Sequence, residues 1–273
     1  MRATYAILRK ELRDAVQSRW LLAFSVTFAL VALALSMVQG RAGDLSEQGF
    51  NRTTAGLINL CLLLVPLLGL VLGASTIAGE RDRGTLLTLL SQPISSSQLL
   101  IGKYLGLVVA VWMAIVLGFG VAGLLMAFVN PLTDIWHYAL FIVLSAALAT
   151  SMLSLGMLIS VVSDGRLKAM ALAVLAWFVL VLLYDLGAIG VALSVSSSGR
   201  SLTLAVLGNP VESVRILAVM SLEPDLQILG PLGAYLTEEL GKLTSVILLS
   251  SALVAWAALP LVAAERLFRR QDL

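Results

Sequence analysis

The stretch Gly79–Tyr104 reads GERDRGTLLTLLSQPISSSQLLIGKY, a compact polar segment between two long apolar runs. It opens with four charges of alternating sign, Glu80, Arg81, Asp82 and Arg83. Gly84 and Thr85 start a short helix whose apolar side is Leu86, Leu87, Leu89 and Leu90. Pro93 cannot continue that helix and biases Gln92 toward an extended conformation. Ser95 or Ser96 caps the restart, and Gln98 stands where a reciprocal capping arrangement needs it. The spacing predicts two short helices meeting at a rigid elbow that leads into two neighbouring apolar runs. Such an element transmits a push into both, and nothing in this chain generates one.

The apolar runs on either side set the class. Of 273 residues 59% are hydrophobic and 12% charged, and the mean hydropathy is +0.99. Such a composition predicts an all-α polytopic membrane protein. A bilayer core of roughly 30 Å takes about 20 apolar helical residues. Six stretches meet that length: Trp20–Val38, Leu57–Ala78, Leu105–Val129, Tyr138–Val162, Ala169–Leu193 and Thr244–Ala264. With both termini in the cytoplasm, thirteen basic residues fall inside: Arg2, Arg9, Lys10, Arg13, Arg19, Arg81, Arg83, Lys103, Arg166, Lys168, Arg266, Arg269 and Arg270. Five fall outside: Arg41, Arg52, Arg200, Arg215 and Lys242. This bias orients the chain as a multi-pass membrane protein with the 80–103 segment cytoplasmic. Polar residues precede the first run, which continues without a small-residue cleavage pattern, so the N-terminus does not read as a secretory signal.

Residues 1–19 alternate in helical register. Tyr5, Leu8, Leu12, Ala15 and Val16 lie on one side, with Lys10, Arg13, Asp14 and Gln17 on the other. They predict an amphipathic helix on the cytoplasmic lipid surface, serving as a topology anchor, as a connecting helix that touches a partner, or as both. Arg41–Gly56, Asn130–His137 and Ser163–Lys168 read as short loops. Residues 194–243 are a longer outer segment that begins with the flexible SVSSSGRS. Asn209 is an N-cap there and Pro210 a first helical residue, with Glu212 in the first turn. Val211, Val214, Leu217 and Val219 form that helix's apolar face, Glu223-Pro224-Asp225 ends it, and a second piece follows Gly230-Pro231. The segment reads either as a cap on the outer end of the bundle or as a docking surface for an extracytoplasmic partner, with Asn209, Pro210, Glu212 and Arg215 at its centre.

Catalytic chemistry is not legible. Gly102-Lys103 is followed by Tyr104 and preceded by Ser97 where a P-loop needs glycine. There is no H-E-x-x-H, no G-x-S-x-G and no pair of aspartates within the spans. Cys61 is the single cysteine and His137 the single histidine, so neither a disulfide framework nor a zinc spacing exists. His137 with Asp134 reads as a helix entry, and Met113, Met126, Met152 and Met157 as apolar filler rather than a copper path. Asp185 is the one acid well inside a span, where a charge costs about 2.5–3.5 kcal/mol on insertion scales. It is a solvated helix-end acid or a functional contact. Gly69 with Gly73, and Gly102 with Gly106, have G-x-x-x-G spacing, but that spacing is common in membrane helices and specifies no dimer face.

Glu80, Gly84-Thr85-Leu86, Leu90, Pro93, Leu99 and Gly102-Lys103 together resemble the E-x-x-x-G-T-L…L-x-x-P…L-x-x-G-K signature of ABC-2 type permeases. The resemblance covers the whole chain by span count and loop order. It implies a single domain over 1–273 of the ABC-2 (type V exporter-like) kind: six transmembrane helices forming one half of a homodimeric, non-catalytic membrane unit. It further implies that 1–19 is the connecting helix and that 80–103 is the coupling segment. That segment sits on a separate cytoplasmic ATPase, which carries the ATP and Mg; Glu80, Arg81, Asp82, Arg83, Gly84, Thr85, Leu86, Pro93 and Gln98 form the contact. ILRKELRDAVQSRWLL at the start, LVLLYDLG around Asp185 and GNPVESVRIL at Asn209 are similar to permeases of the machinery that matures nitrous oxide reductase. That similarity implies a NosF-like ATPase and a periplasmic NosD-like partner acting in copper-site assembly, with lipid but no nucleic acid as the remaining contact. The rival readings are a generic ABC-2 exporter of a drug, lipid or polysaccharide, and an ATP-independent secondary transporter.

Overall fold

The computed structural model describes residues 48–86, 94–129, 135–184, 186–187, 199–222 and 226–271. It also describes Tyr5, residues 7–10, Leu12, Arg13, Val26, Thr27 and Leu30. All the regular structure among these residues is helical. Long helices are α1 (Gln48–Asp82), α2 (Ser96–Val129), α3 (Ile135–Val162) and α4 (Arg166–Trp177), which widens into a π turn over Phe178–Leu183. Two shorter helices follow, α5 (Gly199–Leu207) and α6 (Pro210–Leu222). A 3-10 turn over Leu226–Leu229 leads to α7 (Pro231–Ala234), a second π turn over Tyr235–Glu239, and the last long helix α8 (Lys242–Arg270).

Five of these helices are long and apolar enough to cross a membrane: Ile58–Asp82, Ser96–Leu124, Trp136–Val162, Arg166–Leu183 and Lys242–Arg270. They coincide with five of the six expected spans. Of the first, Trp20–Val38, only Val26, Thr27 and Leu30 are described, and these are helical. The helices outrun the apolar stretches. Residues 48–56, expected as loop, already belong to α1, because a helix propagates until a stop signal and not merely until the hydropathy falls. In the N-terminal segment Leu12 packs against the core while Lys10 and Arg13 are exposed, as the periodicity requires; Ile7, outside the expected apolar side, packs there as well, and Tyr5 is exposed, against expectation.

The centre of the bundle is the contact of α1 with α3. It is built on small residues. A Cβ added to Gly73 would lie 2.5 Å from the Leu153 carbonyl oxygen, and one on Gly156 would lie 2.4 Å from that of Leu70. Backbone therefore meets backbone, which is how helices gain van der Waals contact where no hydrophobic driving force separates them from lipid. The Gly69/Gly73 spacing is thus used within one chain. Ser160 Oγ completes the seam, accepting from Ile77 N at 2.9 Å and Ala78 N at 2.8 Å. Met152 and Met157 are fully buried in the same core. The helix α2 joins through an edge-on ring cluster, with Phe119 5.8 Å from Tyr138 and 5.6 Å from Phe141.

The segment after the fifth span does more than cap the bundle. Helix starts earlier than the flexible stretch suggested, at Gly199, and α5 and α6 meet at a bend of 118°. The turn between them lies deep. Trp256, midway along α8, donates from Nε1 to the Leu207 carbonyl at 3.1 Å. Asn209 Nδ2 donates 2.7 Å to the carbonyl of Leu180. That residue stands about 21 Å along α4 from Arg166, at 1.5 Å per residue. Both positions lie within apolar candidate spans, that on α4 about two-thirds of a roughly 30 Å hydrocarbon layer from the Arg166 end, so the bent pair α5–α6 has the form of a re-entrant loop whose apex stands against the apolar flanks of α4 and α8.

Overpacking the central seam is the sharpest test of this arrangement. Gly73→Val in the detergent-purified protein is expected to lower stability by about 1–3 kcal/mol or more. Gly120 has nothing within 4 Å of an added Cβ, so Gly120→Ala is expected to be neutral or slightly stabilising. Thermal unfolding curves of the two variants check both signs.

Candidate functional site

The four charges at the end of α1 leave the helix in four directions. Gly84 has φ +68°, which a residue with a Cβ rarely adopts, and its N–H returns to the Arg81 carbonyl at 3.1 Å. The reversal brings Thr85 back over the last turn. Its hydroxyl donates to the Glu80 carboxylate and also reaches the Glu80 carbonyl at 3.3 Å. The E-x-x-x-G-T spacing thus has a local meaning, because the glycine turn lets the threonine hold the glutamate. Leu86 is buried behind this turn.

Glu80 itself points inward. It is 8% exposed and receives Lys103 Nζ at 3.3 Å, and Lys103 is 2% exposed. This ion pair joins α1 to α2. Arg83, whose side chain is 61% exposed, lies 3.5 Å from the same carboxylate on its outer side. Arg81 donates to the carbonyl of Ser163 just past the end of α3, and at 2.8 Å to Gln271 Oε1 just past the end of α8. Gln271 Nε2 then donates to the Val161 carbonyl at 2.9 Å. Asp82 accepts from Arg166 N at 2.8 Å, at the start of α4. A Cβ on Gly165 would lie 3.0 Å from Asp82 Oδ1, so the glycine admits the carboxylate.

Two of the charges have the sign required by the helix ends they meet. The guanidinium of Arg81 meets carbonyls at a C-terminus, and the carboxylate of Asp82 caps an N-terminus from another helix. The start of α2 is closed by a capping box: Ser95 N donates 3.1 Å to Gln98 Oε1, and Gln98 N donates 3.2 Å to Ser95 Oγ. Of the two serines the sequence offered, Ser95 is the cap. Arg269 of α8 donates to Ser97 Oγ at 2.7 Å and to Glu265 Oε1 at 2.5 Å, tying α8 to the same corner. Asp164 is exposed, and the hydrogen bond and charge of Lys168 hold its carboxyl below the usual range.

The structure therefore gathers Glu80, Arg81, Asp82, Gly84, Thr85, Leu86 and Gln98 with Lys103, Ser163, Gln271 and Arg269, whose roles sequence reasoning missed. Lys103 was legible only as a letter in a motif. Gln271 and Arg269 had no signal, because their partners are distant in sequence. Pro93 and Asp185 lie outside the described residues. Asn209, Pro210 and Glu212 stand at the start of α6 and are buried, so they build the re-entrant turn; of that expected docking set only Arg215 is partly exposed, paired to Glu212 at 2.8 Å. No group of three His, Cys, Asp or Glu side chains able to hold a metal occurs among the described residues.

The Glu80–Lys103 pair gives a double-mutant test. Lys103→Met takes from the Glu80 carboxylate its partner on α2, leaving it Thr85 and Arg83, and is expected to destabilise the protein by about 1.5–3 kcal/mol. Glu80→Gln with Lys103→Met is expected to recover most of that loss. Chemical unfolding of the three variants reads the coupling directly.

Comparison with known proteins agrees with this geometry. The sequence profile of the ABC-2 family transporter proteins matches residues 5–273. The chain is 32% identical over 280 residues to a probable ABC transporter permease protein NosY of Stutzerimonas stutzeri, covering 99% of each chain. It is 33% identical over 282 residues to a probable ABC transporter permease protein NosY of Pseudomonas aeruginosa, covering the whole of both. An all-helical bundle of apolar spans, a glycine-turned charged corner on the signature residues and a full-length match converge: this chain belongs to the ABC-2 family of ABC transporter permeases.

Proposed function

We propose that this chain is the non-catalytic membrane subunit of a homodimeric ABC transporter that serves copper-site assembly of nitrous oxide reductase. A separate, NosF-like ATPase binds ATP and Mg, seats against the corner at 80–103 from the cytoplasm, and closes on each cycle. The bundle relays the movement to residues 194–243, where a periplasmic NosD-like protein is engaged. In this reading both termini are cytoplasmic, as the positive-inside bias requires.

The observation that carries the reading is the fan of contacts from one helix turn. Glu80 reaches α2, Arg81 reaches the ends of α3 and α8, and Asp82 reaches the start of α4. A force applied at Gly84–Gln98 is thereby delivered to five helices at once. A segment that only anchored a partner would not need bonds to α2, α3, α4 and α8. The full-length similarity to NosY permeases supports the assignment to the nitrous oxide reductase machinery.

The first experiment is an affinity pull-down of this chain from its native membrane, with partners identified by mass spectrometry. An ATPase with a periplasmic maturation protein is the expected result; an ATPase alone returns the chain to a generic exporter, and no ATPase overturns the proposal. Within the assembled complex, Glu80→Gln is expected to leave ATP hydrolysis close to wild type while copper loading of the reductase falls about tenfold or more. Copper content of the reductase from cells carrying the variant checks that separation.

A further inference from the structure

We propose that Asn209 is a positioning residue that makes the fifth span and the re-entrant pair one moving body. The idea rests on the coupling reading above and adds to it the joint by which movement reaches the outer half of the bundle.

The apex at Leu207–Pro210 breaks a helix inside the membrane, where lipid supplies no partner for freed backbone groups. Every carbonyl of the last turn of α5 is nevertheless satisfied. That of Leu204 accepts from Gly208 N at 3.2 Å, and that of Ala205 accepts from Gly208 N at 3.0 Å and from the Tyr184 hydroxyl. That of Val206 accepts from Asn209 N and from Ser213 Oγ, both at 3.1 Å. That of Leu207 accepts from Trp256 Nε1. Asn209 spends both ends of its amide. Its Oδ1 caps α6 by accepting from Val211 N at 2.9 Å, while its Nδ2 crosses to the Leu180 carbonyl.

Leu180 lies within the π turn of α4. Such turns arise mostly as single wide turns in α-helices and recur at functional sites. Here the wide turn carries the one α4 carbonyl that Asn209 Nδ2 reaches, with Tyr184 one turn further on. Two hydrogen bonds, from Asn209 and Tyr184, thus tie α4 to the apex, and a third, from Trp256, ties α8 to it.

Little apolar packing does this work instead. A surface groove of 490 Å³ lies between the π turn, α5 and α6, lined by Val179, Tyr184, Leu202, Ala205 and Ile216. A second of 490 Å³ lies on the other flank, against Leu207, Trp256 and Pro260. On its other side α6 packs into the core through the buried Val211, Val214, Leu217 and Ala218, so it is toward α4 that the polar bonds set where the apex sits, and Asn209 is fully buried.

The test uses spin labels at Leu175→Cys on α4 and Leu204→Cys on α5, both exposed positions, in a Cys61→Ala background. Labelled chain is diluted into unlabelled chain in lipid bilayers. Asn209→Ser keeps an oxygen able to cap Val211 N but cannot reach Leu180. It is expected to broaden the α4–α5 distance distribution, as is Tyr184→Phe, while Trp256→Phe leaves it narrow. An unchanged distribution in Asn209→Ser overturns the proposal, and so does equal broadening in Trp256→Phe, which would mean general loosening. If Asn209→Ser fails to assemble, Tyr184→Phe carries the same comparison. In the complete transporter, Asn209→Ser is expected to lose copper loading of the reductase with ATP hydrolysis retained; broadening with unchanged loading overturns the relay. If Glu80→Gln is silent in that assay as well, the coupling reading falls instead, and the broadening still establishes the joint.

Discussion

A bilayer offers no hydrogen-bond partner to the backbone, and the rest of this structure depends on that constraint. Long helices satisfy it internally, so most of the chain needs only apolar side chains in sufficient length. The constraint becomes severe at two places, the ends of the helices and the turn of the re-entrant pair. Both are where side chains capable of hydrogen bonding have been placed. Trp256, Tyr184, Ser213 and Asn209 meet the apex, and Arg81, Asp82, Ser95 and Gln98 meet the helix ends. The polar residues of an otherwise apolar chain therefore mark the points where backbone geometry departs from a straight rod.

The charged corner solves its local problem with groups from other helices. A helix terminus capped by its own neighbours is a closed unit that can move alone. Here Asp82 of α1 caps α4, Arg81 of α1 covers the end of α3, and Gln271 after α8 bridges the two. None of these helix ends can shift without breaking a bond to another. The buried Glu80–Lys103 pair follows the same logic. Such a pair adds little net stability over an apolar replacement, because desolvation offsets most of the attraction. What it does supply is one fixed point of contact between α1 and α2, at 3.3 Å.

Much of this was legible in the sequence, for physical reasons that also mark where legibility stopped. Span positions follow from hydropathy because transfer free energy is a sum over local residues. The restart at Ser95 and the helix at Pro210 follow from capping chemistry, which is decided within four residues. The elbow expected around Pro93 falls at residues 87–93, outside the described residues. Contacts across the chain left no comparable signal. Arg81 with Gln271 joins residues from opposite ends of the sequence, and Asn209 was read as a cap although its second bond goes to Leu180. The depth of the turn after α5 was hidden as well. A Ser- and Gly-rich approach resembles an outer loop until the Trp256 and Tyr184 donors are seen to await it. Indole and phenol groups inside apolar spans require a partner when buried, and that requirement was the one available clue.

Stiffness is distributed unevenly, and the distribution bears on how a push travels. Gly69, Gly73 and Gly156 bring α1 and α3 into backbone contact, a close-packed seam with no volume to give. By contrast α4 and α8 are far less enclosed by the rest of the chain than α1 and α3 are. Both nevertheless hold the re-entrant apex through hydrogen bonds, and both receive bonds from the charged corner at their other ends. A displacement entering at Arg81 and Asp82 meets a rigid frame on one side and two lightly packed levers on the other. In the proposed coupling the levers are the path of lower resistance, and the apex they both hold moves with them. In that coupling, a displacement of these helices is therefore expressed most easily at the turn between α5 and α6, which side chains of α4, α6 and α8 hold.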